Sequence, residues 1–160
     1  MKNLITALLI FSLNSFGQDT KPCRVYVDMV ADLFHYGHVK FLKKAKKLGG
    51  PNAQLIVGIC SDEDVTDYKR KPILSMKERV KSVKGCKYVN EVLGDAPIRV
   101  DKEWIEKYKI NLVVHGDDFS EEKIREYYSV PLEMGIFKTV PYTRTISTTE
   151  IIKRVKSALP

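Results

Sequence analysis

Two histidines, His35 and His38, stand three residues apart with Gly37 between them, just after the β-rich run Arg24–Met29. Imidazoles donate hydrogen bonds and charge readily near neutrality, which suits them to a phosphate under attack. Gly37 would let backbone come close to a ligand, and a helix starting here would present its N-terminus to an anion. The pair could instead bind a metal, but no third ligand stands nearby in the chain. Further along, Lys69-Arg70-Lys71 precedes Pro72, a cationic loop. His115-Gly116-Asp117-Asp118-Phe119 places two adjacent acids after an apolar run, where a cation or sugar hydroxyl can be held. Thr143-Arg144-Thr145-Ile146-Ser147-Thr148-Thr149 offers hydroxyls and free amides at a helix start, a second anion seat. No Ser/His/Asp or Cys/His pairing and no Walker-type loop is evident. That combination fits nucleotidyl transfer. An ionised phosphate ester is already a nucleophile, so a protein need only align it and neutralise charge growing on the attacked phosphorus.

The elements that must position these residues alternate. Strands are expected at Arg24–Met29, Gln54–Cys60, Lys87–Leu93, Asn111–His115 and Phe137–Val140. Helices are expected at Val39–Leu48, Ser75–Lys84, Asp101–Lys109, Ser120–Tyr128 and Thr148–Ala158, the last capped by Ser147 or Thr148. Ser75 with Glu78 three residues on forms a capping box. Strand alternating with helix implies an α/β fold built on a parallel sheet, with ligands outside the carboxyl ends of the strands. The loops after Met29, Cys60, His115 and Val140 are therefore where a site belongs.

The 160 residues suit one domain. Residues 1–20 read as a signal-peptide-like or apolar N-terminal extension, with Lys2 ahead of an apolar stretch and Ser15-Phe16-Gly17 as a cleavage-like triplet. Residues 22–160 carry the strand–helix pattern. Hydrophobic residues at 44% and charged residues at 29% exclude a disordered or collagenous chain. Twenty-seven Lys and Arg against 20 Asp and Glu give a net charge of +7, which points to an anionic partner. Cys23, Cys60 and Cys86 match no disulfide or zinc framework and read as reduced structural thiols. A basic nucleic-acid-binding module would explain the charge, but aromatics are not interleaved with the cations and no RNA-binding signature is present.

These residues resemble the cytidylyltransferase family of the H-x-G-H nucleotidyltransferase superfamily. His35–His38 after Asp32-Leu33-Phe34 resembles its first signature, and Arg144-Thr-Ile-Ser-Thr-Thr its second. The Glu78-Arg79 helix, Lys87–Val92 and His115-Gly-Asp-Asp also match, in order. The resemblance implies a single Rossmann-like domain with a doubly wound, parallel, five-stranded sheet. It also implies CMP transfer from CTP to a phosphorylated alcohol, with Mg²⁺ carried by CTP and no metal site built by the protein alone. By the same resemblance His35, His38 and Lys69 are catalytic. Gly37, Arg79, Asp117, Arg144, Ser147, Thr148 and Thr149 bind the nucleotide. Two departures stand out. Met29-Val30-Ala31 replaces the family's G-[TI]-F, and an ungapped match puts Tyr142 at the position of the family arginine.

Asp28, seven residues before His35, matches the acid that pairs with the ammonium head in the choline- and ethanolamine-phosphate enzymes. Tyr128 and Phe119 resemble walls of their head-group pocket, while Ile98 stands where those enzymes carry Trp or Tyr. A carboxylate suits a cation and not a neutral polyol. The expected substrate is therefore phosphoethanolamine or phosphocholine, with glycerol 3-phosphate or another polyol phosphate as the alternative. The expected setting is a cytoplasmic homodimer without nucleic acid and without a lipid-binding tail.

Overall fold

The computed structural model describes residues 21–159, and the leader-like segment 1–20 lies outside the described residues. Five strands form one parallel sheet: β1 (Arg24–Met29), β2 (Gln54–Cys60), β3 (Glu91–Ala96), β4 (Leu112–Gly116) and β5 (Phe137–Val140). Their order is β3-β2-β1-β4-β5. The chain winds outward from β1 in one direction through β2 and β3, then returns to add β4 and β5 on the other side. The expected doubly wound, Rossmann-like architecture is the one observed. Its switch point falls between β1 and β4, where a crevice opens at the carboxyl ends.

Side-chain parity divides the core. Val25, Val27, Leu55, Val57, Ile59, Leu112 and Val114 face one side of the sheet, against α1 (Tyr36–Leu48) and α3 (Met76–Lys84). Tyr26, Ile56 and Val113 face the other, against α4 (Lys102–Lys107) and α5 (Glu121–Glu133). Strands covered on both faces read as near-continuous apolar runs, as QLIVGIC does. The remaining helices are α2 (Asp62–Tyr68) and α6 (Thr148–Ala158). Among the described residues no helix is long and apolar enough to cross a membrane.

Several elements depart from expectation, each for a local reason. α1 starts at Tyr36 rather than Val39, so His35 becomes its N-cap and His38 lies in its first turn. α2 replaces an expected loop. Ser61 caps it by accepting from the Asp64 N–H at 3.0 Å, with Asp62, Glu63 and Asp64 favourably placed in its first turn. β3 begins at Glu91, not Lys87, because residues 86–90 form a turn. Val89 N–H donates to Cys86 O, and the Asn90 side-chain oxygen accepts from Leu55 N–H and Lys46 Nζ. Tyr88 and Val89 still pack against the core from that turn, so their apolar character does not mark a strand. α5 runs on to Glu133 across a kink at Tyr128 (φ −126°, ψ 26°), with Pro131 inside. Pro131 has no N–H for the carbonyl of Tyr127, four residues back. Val100 N–H takes that carbonyl instead, at 3.0 Å.

Candidate active site

At the switch point lies a cavity of about 210 Å³ walled by the loops after β1, β2, β4 and β5. His35, Gly37, His38, Lys69, Ser147, Thr148 and Thr149 line one part, and Asp28, Phe119 and Tyr128 another. The sequence-derived candidates thus come together, with three exceptions described below.

The two imidazoles are locked by the helix they introduce. His35 is the N-cap of α1, and its Nδ1 accepts from Gly37 N–H at 3.1 Å. His38 reaches back, its Nδ1 accepting from His35 N–H at 3.2 Å. This is a capping box with imidazoles in place of the usual Ser and Glu. Because both Nδ1 atoms accept, the proton of each neutral ring sits on Nε2. The rings stack with centroids 3.9 Å apart, and His38 also stacks on Phe34 at 5.4 Å. Burial, then the neighbouring His35 and Lys69, push the His38 pKa down to about 3, against a smaller upward pull from Asp32. Burial also lowers His35. With both Nδ1 atoms accepting, each ring offers its Nε2–H as a donor at the cavity. The first amides of α1 serve the imidazoles and are not an open anion seat, so on this side the rings themselves are the donors.

Gly37 is required by proximity. A Cβ there would lie 2.9 Å from the His35 ring and 2.9 Å from Ile146 Cγ2. Gly37→Ala is expected to displace the His35 ring or the start of α6. Turnover should drop by roughly 100-fold, as a misplacement near 1 Å can cause, while circular dichroism shows a folded protein.

The loop between β1 and α1 is strained, with Ala31 at φ 56° and Leu33 at φ 48°. Its neighbours brace it. The Asp32 carboxylate accepts from the N–H groups of Ile73 and Leu74 and from Arg70 at 2.9 Å. Burial would raise the Asp32 carboxyl, but those two backbone donors and the Arg70 guanidinium outweigh it and hold it below its ordinary 3.8. Asp32 thereby ties the cationic loop to the end of β1 and presents Lys69 to the cavity. Asp32→Asn should destabilise the fold by about 2 kcal/mol at pH 7, the worth of a charged hydrogen bond. A depressed carboxyl contributes fully above its unfolded value and loses that contribution as pH falls through its folded value. The urea midpoints of wild type and variant should therefore converge below pH 4.

Arg79 differs from its expected role. It is fully buried and absent from the cavity lining. Its guanidinium donates to Val30 O at 2.6 Å and Cys60 O at 3.0 Å and pairs with Asp62. It braces the carboxyl ends of β1 and β2 under the site and is not placed to touch a triphosphate. Asp117 is also outside the cavity. Its carboxylate accepts from Tyr142 N–H at 2.7 Å and so fixes the loop after β5, while Asp118 lines the cavity instead. Arg144 is exposed and away from the lining, whereas Tyr142 and Thr143 reach it.

At α6, Ser147 is the N-cap, accepting from Glu150 N–H at 3.1 Å. The Thr148 hydroxyl donates to Asp32 O at 2.8 Å. The Thr148 hydroxyl thus ties the helix start to the β1 loop, while Ser147 caps the helix through its oxygen alone. What remains for an anion is the O–H of Ser147, the Thr149 hydroxyl and the backbone, because the first N–H groups of a helix, here those of Thr148 and Thr149, have no intrahelical acceptor.

At the other end lies Asp28, buried on the α5 face. One oxygen accepts from the Tyr128 hydroxyl at 2.6 Å, and Oδ2 has no partner. Burial pushes its carboxyl above the usual range, more than His115 and the Tyr128 bond pull it down. Phe119 and Tyr128 flank His115, at 4.2 and 5.3 Å between centroids. Ile98 lines the cavity at the wall position expected of it, and His115, Tyr127 and Cys60 also line it, although sequence reasoning did not assign those three to it. Strand parity was the available signal for His115, which shares a face with Asp28.

Residues 29–154 match the family model described as Cytidylyltransferase-like. The ethanolamine-phosphate cytidylyltransferase of Dictyostelium discoideum is 43% identical over 148 residues, 88% of this chain and 40% of that protein. The choline-phosphate cytidylyltransferase A of Homo sapiens is 39% identical over 136 residues, 84% of this chain and 37% of that protein. The chain spans about two fifths of the length of these curated relatives. Among solved structures, the lipopolysaccharide core biosynthesis protein from Thermoplasma volcanium GSS1 aligns with a TM-score of 0.60. That match covers 78% of this chain and 98% of the other at 24% identity, a likeness of fold. Family model, relatives and architecture agree: the chain belongs to the cytidylyltransferase-like family.

Proposed function

We propose that this protein transfers the cytidylyl group of CTP to a phosphorylated amino-alcohol and releases pyrophosphate, activating a phospholipid head group. The carrying observation is the polarity of one cavity. Paired neutral imidazoles, Lys69 and the start of α6 stand at one end, and a buried carboxylate with an unused oxygen stands at the other. The relatives named for ethanolamine-phosphate and choline-phosphate support the same substrate class.

In this reading a phosphate-ester oxygen attacks the α-phosphorus of CTP. The new P–O bond forms as the bond to the bridging oxygen of the β-phosphate breaks, and pyrophosphate leaves with the electron pair. The Nε2–H groups of His35 and His38 donate to the oxygens gaining charge. Lys69 bridges the phosphates of the two substrates. The amides of Thr148 and Thr149 receive the β- and γ-phosphates. No general base is needed, because the ester arrives ionised. Among the described residues no three His, Cys, Asp or Glu group to hold a metal. The triphosphate would supply the oxygens for Mg²⁺, which when bound neutralises charge there. A cytoplasmic setting, where CTP is made, and a homodimer belong to the same reading. Sedimentation of the purified chain checks the dimer.

The test is pyrophosphate release with CTP or ATP against phosphoethanolamine, phosphocholine and glycerol 3-phosphate in parallel. CTP with an amino-alcohol phosphate should give the signal. Release only with glycerol 3-phosphate, or only with ATP, would overturn the reading.

A further inference from the structure

We infer that the outer faces of α1 and α3 form a docking surface for an anionic lipid bilayer; the choice of a bilayer rests on the head-group reading above. The starting point is the positive charge that the cavity leaves unused, since Lys69 and Arg70 are its only basic lining residues besides histidine. α1 carries five lysines and no acid, and α3 carries three lysines and one acid, Glu78. Glu78 is held by the N–H and hydroxyl of Ser75. Lys44 and Lys46 are tied into the fold by Pro141 O and Asn90 Oδ1, at 2.8 and 2.9 Å. The other six lysines are exposed.

Their spacing sets them in two rows. Lys40, Lys43 and Lys47 run along α1 away from buried Leu42 and Ala45, and Lys77, Lys81 and Lys84 run along α3 away from buried Val83. α1 packs on β1 and β2, and α3 on β2 and β3, so the rows lie side by side on one face. The other face differs: α4 and α5 expose six Glu against four Lys and Arg. Among the described residues none of the six lysines has an acidic partner. Like charges at these spacings repel, a cost that an anionic surface removes. Lysine is a compact, strongly hydrated charge and suits the diffuse potential of anionic head groups. Nucleic-acid surfaces add arginine forks and stacking aromatics. The exposed aromatic of these two helices, Tyr36, is engaged by Thr145 and Lys40. The proposed product supplies the chemical reason: an activated head group must next be transferred to a lipid alcohol, which resides in a bilayer. With the lysine face down, the cavity at the carboxyl ends of the strands stays open at the side.

The experiment co-sediments the full chain with vesicles of phosphatidylcholine alone or mixed with phosphatidylglycerol. Binding should require phosphatidylglycerol and be lost near 1 M salt, where the screening length is about 3 Å. Each lysine near an anionic surface is worth roughly fivefold in affinity. Lys40→Gln/Lys43→Gln/Lys47→Gln and Lys77→Gln/Lys81→Gln/Lys84→Gln should therefore each weaken binding about 100-fold. Lys102→Gln/Lys107→Gln/Lys123→Gln removes the same charge from α4 and α5 and should change it by less than about threefold. The first two variants should melt at or above the wild-type temperature, because repulsion within each row is relieved. Their pyrophosphate release without vesicles should be unchanged. Equal weakening by all three variants, salt-resistant binding to phosphatidylcholine alone, as the apolar segment 1–20 would give, or tighter retention on a DNA duplex than on the mixed vesicles overturns the inference. Binding as expected without pyrophosphate release from CTP and either amino-alcohol phosphate upholds the surface and fails the amino-alcohol reading.

Discussion

Pyrophosphate release from CTP should fall by roughly 100- to 1,000-fold in His38→Ala, the usual consequence of losing one donor to developing phosphate charge. The variant also loses half of the reciprocal cap on α1, worth about 1 kcal/mol. His38→Asn separates the two effects. Its side-chain oxygen can still accept from His35 N–H, so stability should be largely retained while turnover stays low. If His38→Asn restores turnover along with stability, the imidazole is a cap and nothing more. The pH dependence distinguishes the roles further. A histidine depressed from 6.5 to about 3 is protonated in the unfolded chain before the native one. Its contribution to stability is complete above 6.5 and is lost as pH falls through about 3. The urea midpoint of the wild type should therefore decline below pH 6.5 more steeply than that of His38→Asn. Turnover should show no acid limb from this ring in the neutral range. A limb near pH 6 would belong to the second ionisation of the phosphate ester, the nucleophile of the proposed reaction.

Asp28→Asn should cut kcat/KM for an amino-alcohol phosphate by roughly 100-fold, because it removes the charge facing the ammonium while keeping an acceptor for Tyr128. KM for CTP should stay nearly constant, since in the proposed reading the nucleotide binds against His35, His38 and the start of α6, away from Asp28. Stability should move the opposite way. The wild-type carboxylate is buried with one oxygen unpaired, and its pKa is raised. A raised carboxyl stabilises the fold at low pH and loses that contribution as pH rises from the unfolded value through the folded one. At pH 7 the asparagine variant should equal the wild type or exceed it by about 1 kcal/mol, a trade of stability for function. Paired urea melts and steady-state assays measure both. An equal loss with amino-alcohol and polyol phosphates alike would remove the case for a cationic head group.

Much of the fold could be read from the chain because its signals are local. Apolar runs such as QLIVGIC, caps such as Ser75 with Glu78, and the Gly49-Gly50-Pro51 stop each act within a few residues. The same locality explains the misreadings. Tyr88 and Val89 look like strand residues but bury themselves from a turn pinned by Asn90. Pro131 looks like a stop for α5, but the kink at Tyr128 and the N–H of Val100 relieve it. Each outcome depends on a partner distant in the chain.

The site divides along the same line. By itself the sequence singled out His35, His38, Lys69 and Asp28 and pointed to the strand ends as their meeting place, since residue type and position after a strand are local properties. Only the tertiary structure decided that Asp32 anchors the lysine loop. It alone turned Arg79 inward, and it alone put Asp118, Tyr142 and His115 at the cavity in place of Asp117 and Arg144. Those choices follow from strand register and from competition for buried donors and acceptors, which arise only when segments tens of residues apart pack together.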